Sequence, residues 1–322
     1  MQQLRTMPVM TWWIKLACTA ALMLWLISGV DIGQAVYSAR QIDPFMLCIA
    51  FMLALTQVAL GGLRWWVVLQ SQGQRFSLYT IMALFYAGVF VSSITPGALG
   101  GDALRAWRLN LLGFSLSRAI VSVLIERILL VLGLMTLTVF AWPILSKHTP
   151  AVPGLWVMPL ITFAAFVTVI AFSQIPRLPV RVQQLPLVMY WVDFAMDIRN
   201  LLFSLRYALT AFSLSIIAVF NIVLMFYVLA RGIHIDISLL DCIALVPPVI
   251  IILILPISIS GWGVRETCMV IAFGFIGVPA PSVLALSVAF GLITMISALP
   301  GGLMMMSCSM FSLASREKSV HE

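Results

Sequence analysis

Apolar runs of about twenty residues recur along this chain, the length an α-helix needs to cross a hydrocarbon core of roughly 30 Å. The runs are continuous and rich in Leu, Ile, Val, Ala and Met. A membrane β-barrel would instead alternate apolar and polar residues over segments of about ten. Hydrophobic residues make up 62% of the 322 and charged ones only 9%, against roughly 25% charged in a soluble globular chain. Most of the surface must therefore face lipid. The expected fold is an all-α integral membrane protein, a single transmembrane domain over residues 1–322 with no soluble domain.

Full spans are expected near residues 11–30, 44–63, 119–142, 155–174, 207–230 and 282–307. Arg5 and Lys15 ahead of Leu16–Val30 resemble the start of a cleaved signal peptide. With so many spans following, an uncleaved first helix is expected. Three further apolar stretches, 78–95, 239–257 and 264–278, each adjoin a glycine-rich, charge-bearing break.

Charge counting decides how the first of these runs. If 78–95 dips in and returns to its own side, thirteen basic residues, Arg64 among them, fall on one side. Only Arg40, Lys147 and Arg231 then stand opposite, with Arg127 and Arg265 taken as intramembrane. A full crossing of 78–95 would change the split to ten against six. The positive-inside bias favours the re-entrant arrangement with both termini cytoplasmic. The expected architecture is six full spans plus two re-entrant or broken-helix elements, in a bacterial cytoplasmic (inner) membrane. The net charge of +7 is this same loop bias, not a nucleic-acid surface.

Cys18, Cys48, Cys242, Cys268 and Cys308 lie in or beside apolar runs without CxxC or Cys/His spacing, so neither a disulfide framework nor a metal site is expected. Residues 176–206 form the one sizeable polar stretch. Tyr190, Trp191 and Phe194 there stand against Asp193, Asp197 and Arg199, which suits a helix lying at the interface or a plain cytoplasmic linker. The tail after Ser312 is too short to fold.

Two constellations carry chemistry. In the first, Pro96, Gly97, Gly100 and Gly101 cannot sustain a helix. Unwound backbone at membrane depth survives only where it is buried in protein or lines a wet cavity. Asp102 is placed to cap a new helix, with Arg105 and Arg108 one and two turns on along the same face. A helix start with two arginines suits a phosphate; alternatively, Asp102 and Arg105 neutralise each other. In the second, Pro256, Ser258, Ser260, Gly261 and Gly263 precede Arg265 and Glu266. Charges at such depth are functional candidates, unless Arg265 merely marks a cytoplasmic turn. Glu126 and Arg127, about eight residues into the span 119–142, point about 100° apart and need separate partners. Arg105 or Arg265 would serve Glu126, and a carbonyl or carboxylate would serve Arg127. A structural ion pair and a transport role stand equal for them. By the charge count the two breaks enter from opposite sides, the pointer to an inverted repeat with a site between broken helices.

At these motifs the chain resembles the membrane region of lysylphosphatidylglycerol synthase, the multiple peptide resistance factor. The resemblance rests on Pro96, Gly97, Gly100, Gly101, Asp102 and Arg105, on Glu126 and Arg127, and on Pro256, Ser258, Gly261, Gly263, Arg265 and Glu266 followed by Gly277, Val278 and Pro279. It covers roughly residues 45–308 and implies a flippase-like core that moves a charged lipid between leaflets. The synthases carry an added soluble aminoacyl-transferase domain. This chain ends at Glu322 without one, so no lysyl-lipid synthesis is expected.

The expected function is translocation of a phosphate-bearing lipid: an anionic phospholipid, an aminoacylated lipid or a polyprenyl phosphate. Arg105, Arg108, Arg265, Ser258 and Ser260 would bind it, while Asp102, Glu126, Arg127 and Glu266 balance charge or carry a proton. No GxxxxGK[ST] loop is present, so a gradient or the lipid itself would drive movement. No cofactor and no metal are expected, and His148, His234 and His321 are scattered, which argues against an enzyme. The rival reading is a non-catalytic membrane subunit of an enzyme that modifies lipid- or polyprenyl-linked sugars, with self-association or a soluble transferase partner left open.

Overall fold

The computed structural model describes residues 17–306, apart from 18, 25, 27, 96–98, 144–145, 147–156, 178–185, 255–257 and 259–260. The expected break residues Pro96, Gly97, Pro256 and Ser260, and residues 11–16, 18, 25 and 27 of the expected first span, lie outside the described residues, while the described part of that span is helical up to Gly29. The described chain is helical, in the order α1 (Ile32–Arg40), α2 (Pro44–Ser71), α3 (Leu78–Ile94), α4 (Leu99–Leu111), α5 (Leu116–Phe140) and α6 (Val157–Phe172), then α7 (Pro186–Phe203), α8 (Leu205–Gly232), α9 (Leu239–Leu253), α10 (Val264–Gly274) and α11 (Ala280–Met306). Among the described residues, five segments are long and apolar enough to cross a membrane: Pro44–Ser71, Leu116–Phe140, Pro159–Arg177, Leu205–Gly232 and Ala280–Met305.

Two hydrogen bonds orient the bundle. Asp43 N–H donates to Gly232 O at 3.0 Å, joining the start of α2 to the end of α8. Arg118 Nη2 donates to Gln72 O at 3.0 Å, joining the end of α2 to the start of α5. The first contact marks one face of the bundle and the second marks the other. α8 lies along α2, and its Phe226 stacks on Phe290 of α11 with centroids 4.1 Å apart. This packing anchors the larger apolar core, which takes in Val223, Leu229, Val246, Phe273 and Leu286.

The shorter helices form two hairpins. At 17 and 13 residues, α3 and α4 reach only about 25 and 20 Å at 1.5 Å per residue, less than the hydrocarbon thickness. Helix α3 ends at Thr95, whose backbone is extended (φ −93°, ψ 149°), and α4 resumes at Leu99. Both outer ends of this hairpin sit where α2 ends, tied there by Trp66 Nε1 donating to Phe76 O at 3.0 Å and by the Phe76–Phe114 edge contact. Helices α9 and α10, 15 and 11 residues long, form the second hairpin. Its outer ends, at Cys242 and Phe273, share a core with Ile233 and Ile237 beside the end of α8. The hairpins therefore enter from opposite faces.

Small residues let the limbs meet. A Cβ on Gly101 would run into the Gly88 carbonyl oxygen and Ser92 Oγ, and one on Gly88 would lie 2.8 Å from Arg105 Cγ. Across the α3–α11 contact, a Cβ on Gly301 would strike the Tyr86 carbonyl, and Tyr86 OH donates to Ser297 O at 2.7 Å.

Two expectations are corrected. Helix α4 begins at Leu99, so Asp102 stands in its first turn and is not the residue that caps it. Helix α2 runs on to Ser71, so Arg64 lies within a span rather than in a loop beyond residue 63. Residues 186–203 form a helix packed on the face where α2 ends, with Asp197 accepting from Arg118 Nη2 and Gln72 Nε2, each at 3.2 Å.

Gly101→Ala is expected to cost about 1–3 kcal/mol, because its contact is rigid backbone. Gly274→Ala, with nothing within 4 Å of the added carbon, is expected to be neutral. Thermal unfolding of the two variants in detergent checks the contrast; equal melting temperatures would refute the close-packed hairpin.

Candidate functional site

A charged side chain in the middle of a span is stable only if protein replaces the water it lost. Helix α5 carries Glu126 at such a depth, 2% exposed. Its partner is Arg64 of α2, also 2% exposed, which pairs through Nη2 and donates through Nε at 3.2 Å to the same Oε1. Arg105 of α4 stands 3.6 Å from Oε2. Glu126 thus joins α2, α4 and α5.

Arg105 is held by rings as well as by charge. Its guanidinium lies 5.0 Å from the Trp65 ring centroid and 4.7 Å from that of Phe85, the geometry of cation–π attraction. Trp65 is fully buried and donates Nε1–H to Ser122 Oγ at 3.1 Å, which fixes the platform. Arg105 also pairs with Asp102. Asp102 in turn accepts from Arg127 at both oxygens, Nε to Oδ2 at 3.1 Å and Nη2 to Oδ1 at 3.0 Å. The side chains of Arg64, Glu126 and Arg105 are 3% exposed, that of Asp102 17% and that of Arg127 38%. The network therefore runs from the core of the bundle to an accessible end at Arg127.

These five residues line one cavity of about 450 Å³. Both hairpins contribute to it: Ser92, Ser93, Asp102 and Arg105 from the first, and Leu253, Ile254, Ser258 and Gly261 from the second. Gln57 of α2 and Thr294 and Ser297 of α11 complete its polar lining. Within it three guanidiniums face two carboxylates, leaving one positive charge unmatched. Moreover, Arg64 Nη1 and Arg105 Nη1 are buried and find no hydrogen-bond partner among the described residues. A guanidinium has five donors in a fixed fork suited to phosphate and carboxylate. Two such forks, each with an unpaired Nη1, give the residues around this cavity the donor chemistry that an anion would need.

The remaining expected residues fall elsewhere. Arg108 does not line the cavity; its guanidinium lies over the neighbouring Trp107 ring, 5.2 Å from the centroid. Arg265 and Glu266 also stand outside it, paired with each other at 2.6 Å and joined by Ser287. The Arg265–Glu126 alternative is therefore not formed. Glu266 accepts from Gly263 N–H at 2.7 Å, and Gly261 and Gly263 take positive φ, 80° and 84°. This second ion pair starts α10 and supports the hairpin that walls the cavity. Gly100 packs on Thr95 beneath the first tip.

Residues 12–302 match the family of the lysylphosphatidylglycerol synthase TM region. The chain belongs to that family. The match spans both hairpins and all five cavity charges, and it identifies a multi-pass membrane protein. A 78-residue stretch is 32% identical to a UPF0104 membrane protein of Methanothermobacter thermautotrophicus, covering 24% of this chain and 22% of that relative.

Within this family member the central pair should behave as a unit. Glu126→Ala strands two arginines in the core and is expected to cost about 3–5 kcal/mol. Arg64→Met combined with Glu126→Leu is expected to cost clearly less than the two single changes added together. Equilibrium unfolding by SDS titration in mixed micelles gives the coupling, and strict additivity would show that the pair is not coupled.

Proposed function

We propose that this protein is a lipid translocase that carries a phosphate-bearing headgroup between leaflets while the acyl chains stay in the bilayer. The observation that carries this reading is that Arg64 and Arg105, which line a cavity with one positive charge to spare, each keep a buried Nη1 group without a hydrogen-bond partner among the described residues. Moving a phosphate through hydrocarbon without partners is prohibitive. A cavity that presents guanidinium N–H groups in place of water lowers that barrier. The two hairpins support the reading, since they enter from opposite faces and meet at one cavity, so either can open the cavity to its own side. Arg127 and Asp102, at the more exposed end of the network, stand where a headgroup would enter.

The proposed action is transport without bond-making, because both carboxylates of the cavity are committed to arginines and neither is free to act as a base. The proposed setting is a cytoplasmic membrane. Arg75, Arg118, Arg177, Arg199 and Arg206 collect on the face where α2 ends, which the positive-inside bias assigns to the cytoplasm.

Leaflet exchange of labelled lipids in proteoliposomes tests the proposal, with an anionic phospholipid, an aminoacylated lipid and a polyprenyl phosphate as substrates. Exchange of at least one class is expected, reduced at least about tenfold by Arg64→Gln or Arg105→Gln and little changed by Arg108→Gln. Absence of exchange for every lipid, with and without an ion gradient, would overturn translocation.

A further inference from the structure

The cavity carries a second chemistry beside the arginines. Ser93 Oγ donates to Val89 O at 2.9 Å, Thr294 Oγ1 to Gly291 O at 2.8 Å and Ser297 Oγ to Thr294 O at 2.8 Å. A hydroxyl has one proton and two lone pairs. Each of these three groups has its proton engaged by its own helix, so what it offers the cavity is an acceptor. Gln57 is the counterpart. Its Oε1 accepts from Asn221 Nδ2 at 2.9 Å, which leaves its amide N–H groups as donors. Beyond the arginines, these four groups therefore present neutral acceptors and a neutral donor, the pattern that matches a hydroxyl-bearing ligand, since a hydroxyl both donates and accepts.

An ammonium group fits this lining poorly. Both oxygens of Asp102 are taken by Arg127 and Arg105, and Glu126 is taken by Arg64 and Arg105. A cationic headgroup would meet three guanidiniums and no free acid. Volume points the same way. A cavity of about 450 Å³ lies within the range of small-molecule sites, roughly 300–1,000 Å³, and leaves room beside a bare phosphate for a polyol.

We infer that the site selects a net-anionic headgroup made of a phosphate and a neutral hydroxyl-rich substituent, such as a phosphoglycerol or another polyol phosphate, and discriminates against aminoacylated, cationic headgroups. This rests on the translocase reading of the same cavity. The arginines take the phosphate, and Ser93, Thr294 and Ser297 accept hydrogen bonds from the substituent.

The test is displacement of a fluorescent phosphatidylglycerol from the purified full-length chain in detergent micelles. The competitors are phosphatidylglycerol, phosphatidic acid, lysyl-phosphatidylglycerol and water-soluble glycerol 3-phosphate. Phosphatidylglycerol is expected to compete best and its lysyl ester at least about tenfold more weakly. The Thr294→Val/Ser297→Ala double variant is expected to lose about tenfold for phosphatidylglycerol, the loss of one or two hydrogen bonds. It should hold phosphatidic acid within about twofold, which also shows that it is folded. If it lost both lipids, the same comparison would be made with Ser93→Ala. Three outcomes overturn this inference while leaving the anion site intact: equal binding of phosphatidylglycerol and phosphatidic acid, a lysyl ester that binds as well as its parent, or an unaffected double variant. Glycerol 3-phosphate matching the lipid would make the ligand a soluble polyol phosphate and overturn the lipid source. No saturable binding of the fluorescent lipid to wild-type protein would overturn this inference and the translocase reading together.

Discussion

The Arg64–Glu126 pair is the constraint around which the rest is arranged. Buried among apolar helices, neither charge has water to fall back on, and an uncompensated ion in that position would cost several kcal/mol. The pair therefore fixes the relative position and rotation of α2 and α5 more tightly than apolar packing does. Leucine surfaces can slide past one another at little cost, whereas a guanidinium displaced by a turn loses its partner. Arg105 extends the constraint to α4 through Glu126, and Asp102 and Arg127 close it back onto α5. Three helices are thus set by five side chains.

The hairpins are shaped to deliver those side chains. A limb of 13 residues cannot cross the membrane, but it can carry Arg105 to the middle of it and return. The limbs approach closely enough to place Arg105 against Glu126 because Gly88 and Gly101 have no side chains to keep α3 and α4 apart. The glycines of the first break thus act as spacing elements for a charge. At the second break they act differently: Gly261 and Gly263 adopt positive φ, a conformation open to glycine at little cost, and this turn lets Glu266 cap the helix it opens.

How much of this was legible in the sequence differs between fold and site. Spans and hairpins were readable because hydrocarbon thickness imposes a length, and the limits expected for 207–230 and 282–307 differ from α8 and α11 by only a residue or two. Asp102, Arg105, Glu126 and Arg127 could be singled out because charges at membrane depth are rare. Arg64 was missed for a related reason. Followed by Trp65 and Trp66, it looks like the basic and aromatic belt that closes a span, and nothing local distinguishes that from an arginine in mid-span. The remaining signal was length: the apolar run continues through Val67, Val68 and Leu69. Which of Arg105, Arg108 and Arg265 faces the cavity was also beyond the sequence. That depends on which side of α4 meets α5 and on Arg265 finding Glu266 next to it, both outcomes of tertiary packing.

The unequal charge count in the cavity bears on stability and function together. A network meant only to hold helices together would be neutral, and replacing a buried ionic cluster by apolar residues of similar volume is often stabilising. Three arginines against two carboxylates is therefore a poor choice for a scaffold. An incoming phosphate would neutralise the excess positive charge and could engage the unpaired Nη1 groups of Arg64 and Arg105. On the translocase reading, an anion held there would offset the cost of that excess charge at mid-depth, where a translocated headgroup would otherwise be least stable. An energy profile flattened at its centre is what passage between leaflets requires. On that reading, the same imbalance that is a poor choice for a scaffold is what would suit the cavity to carry an anion.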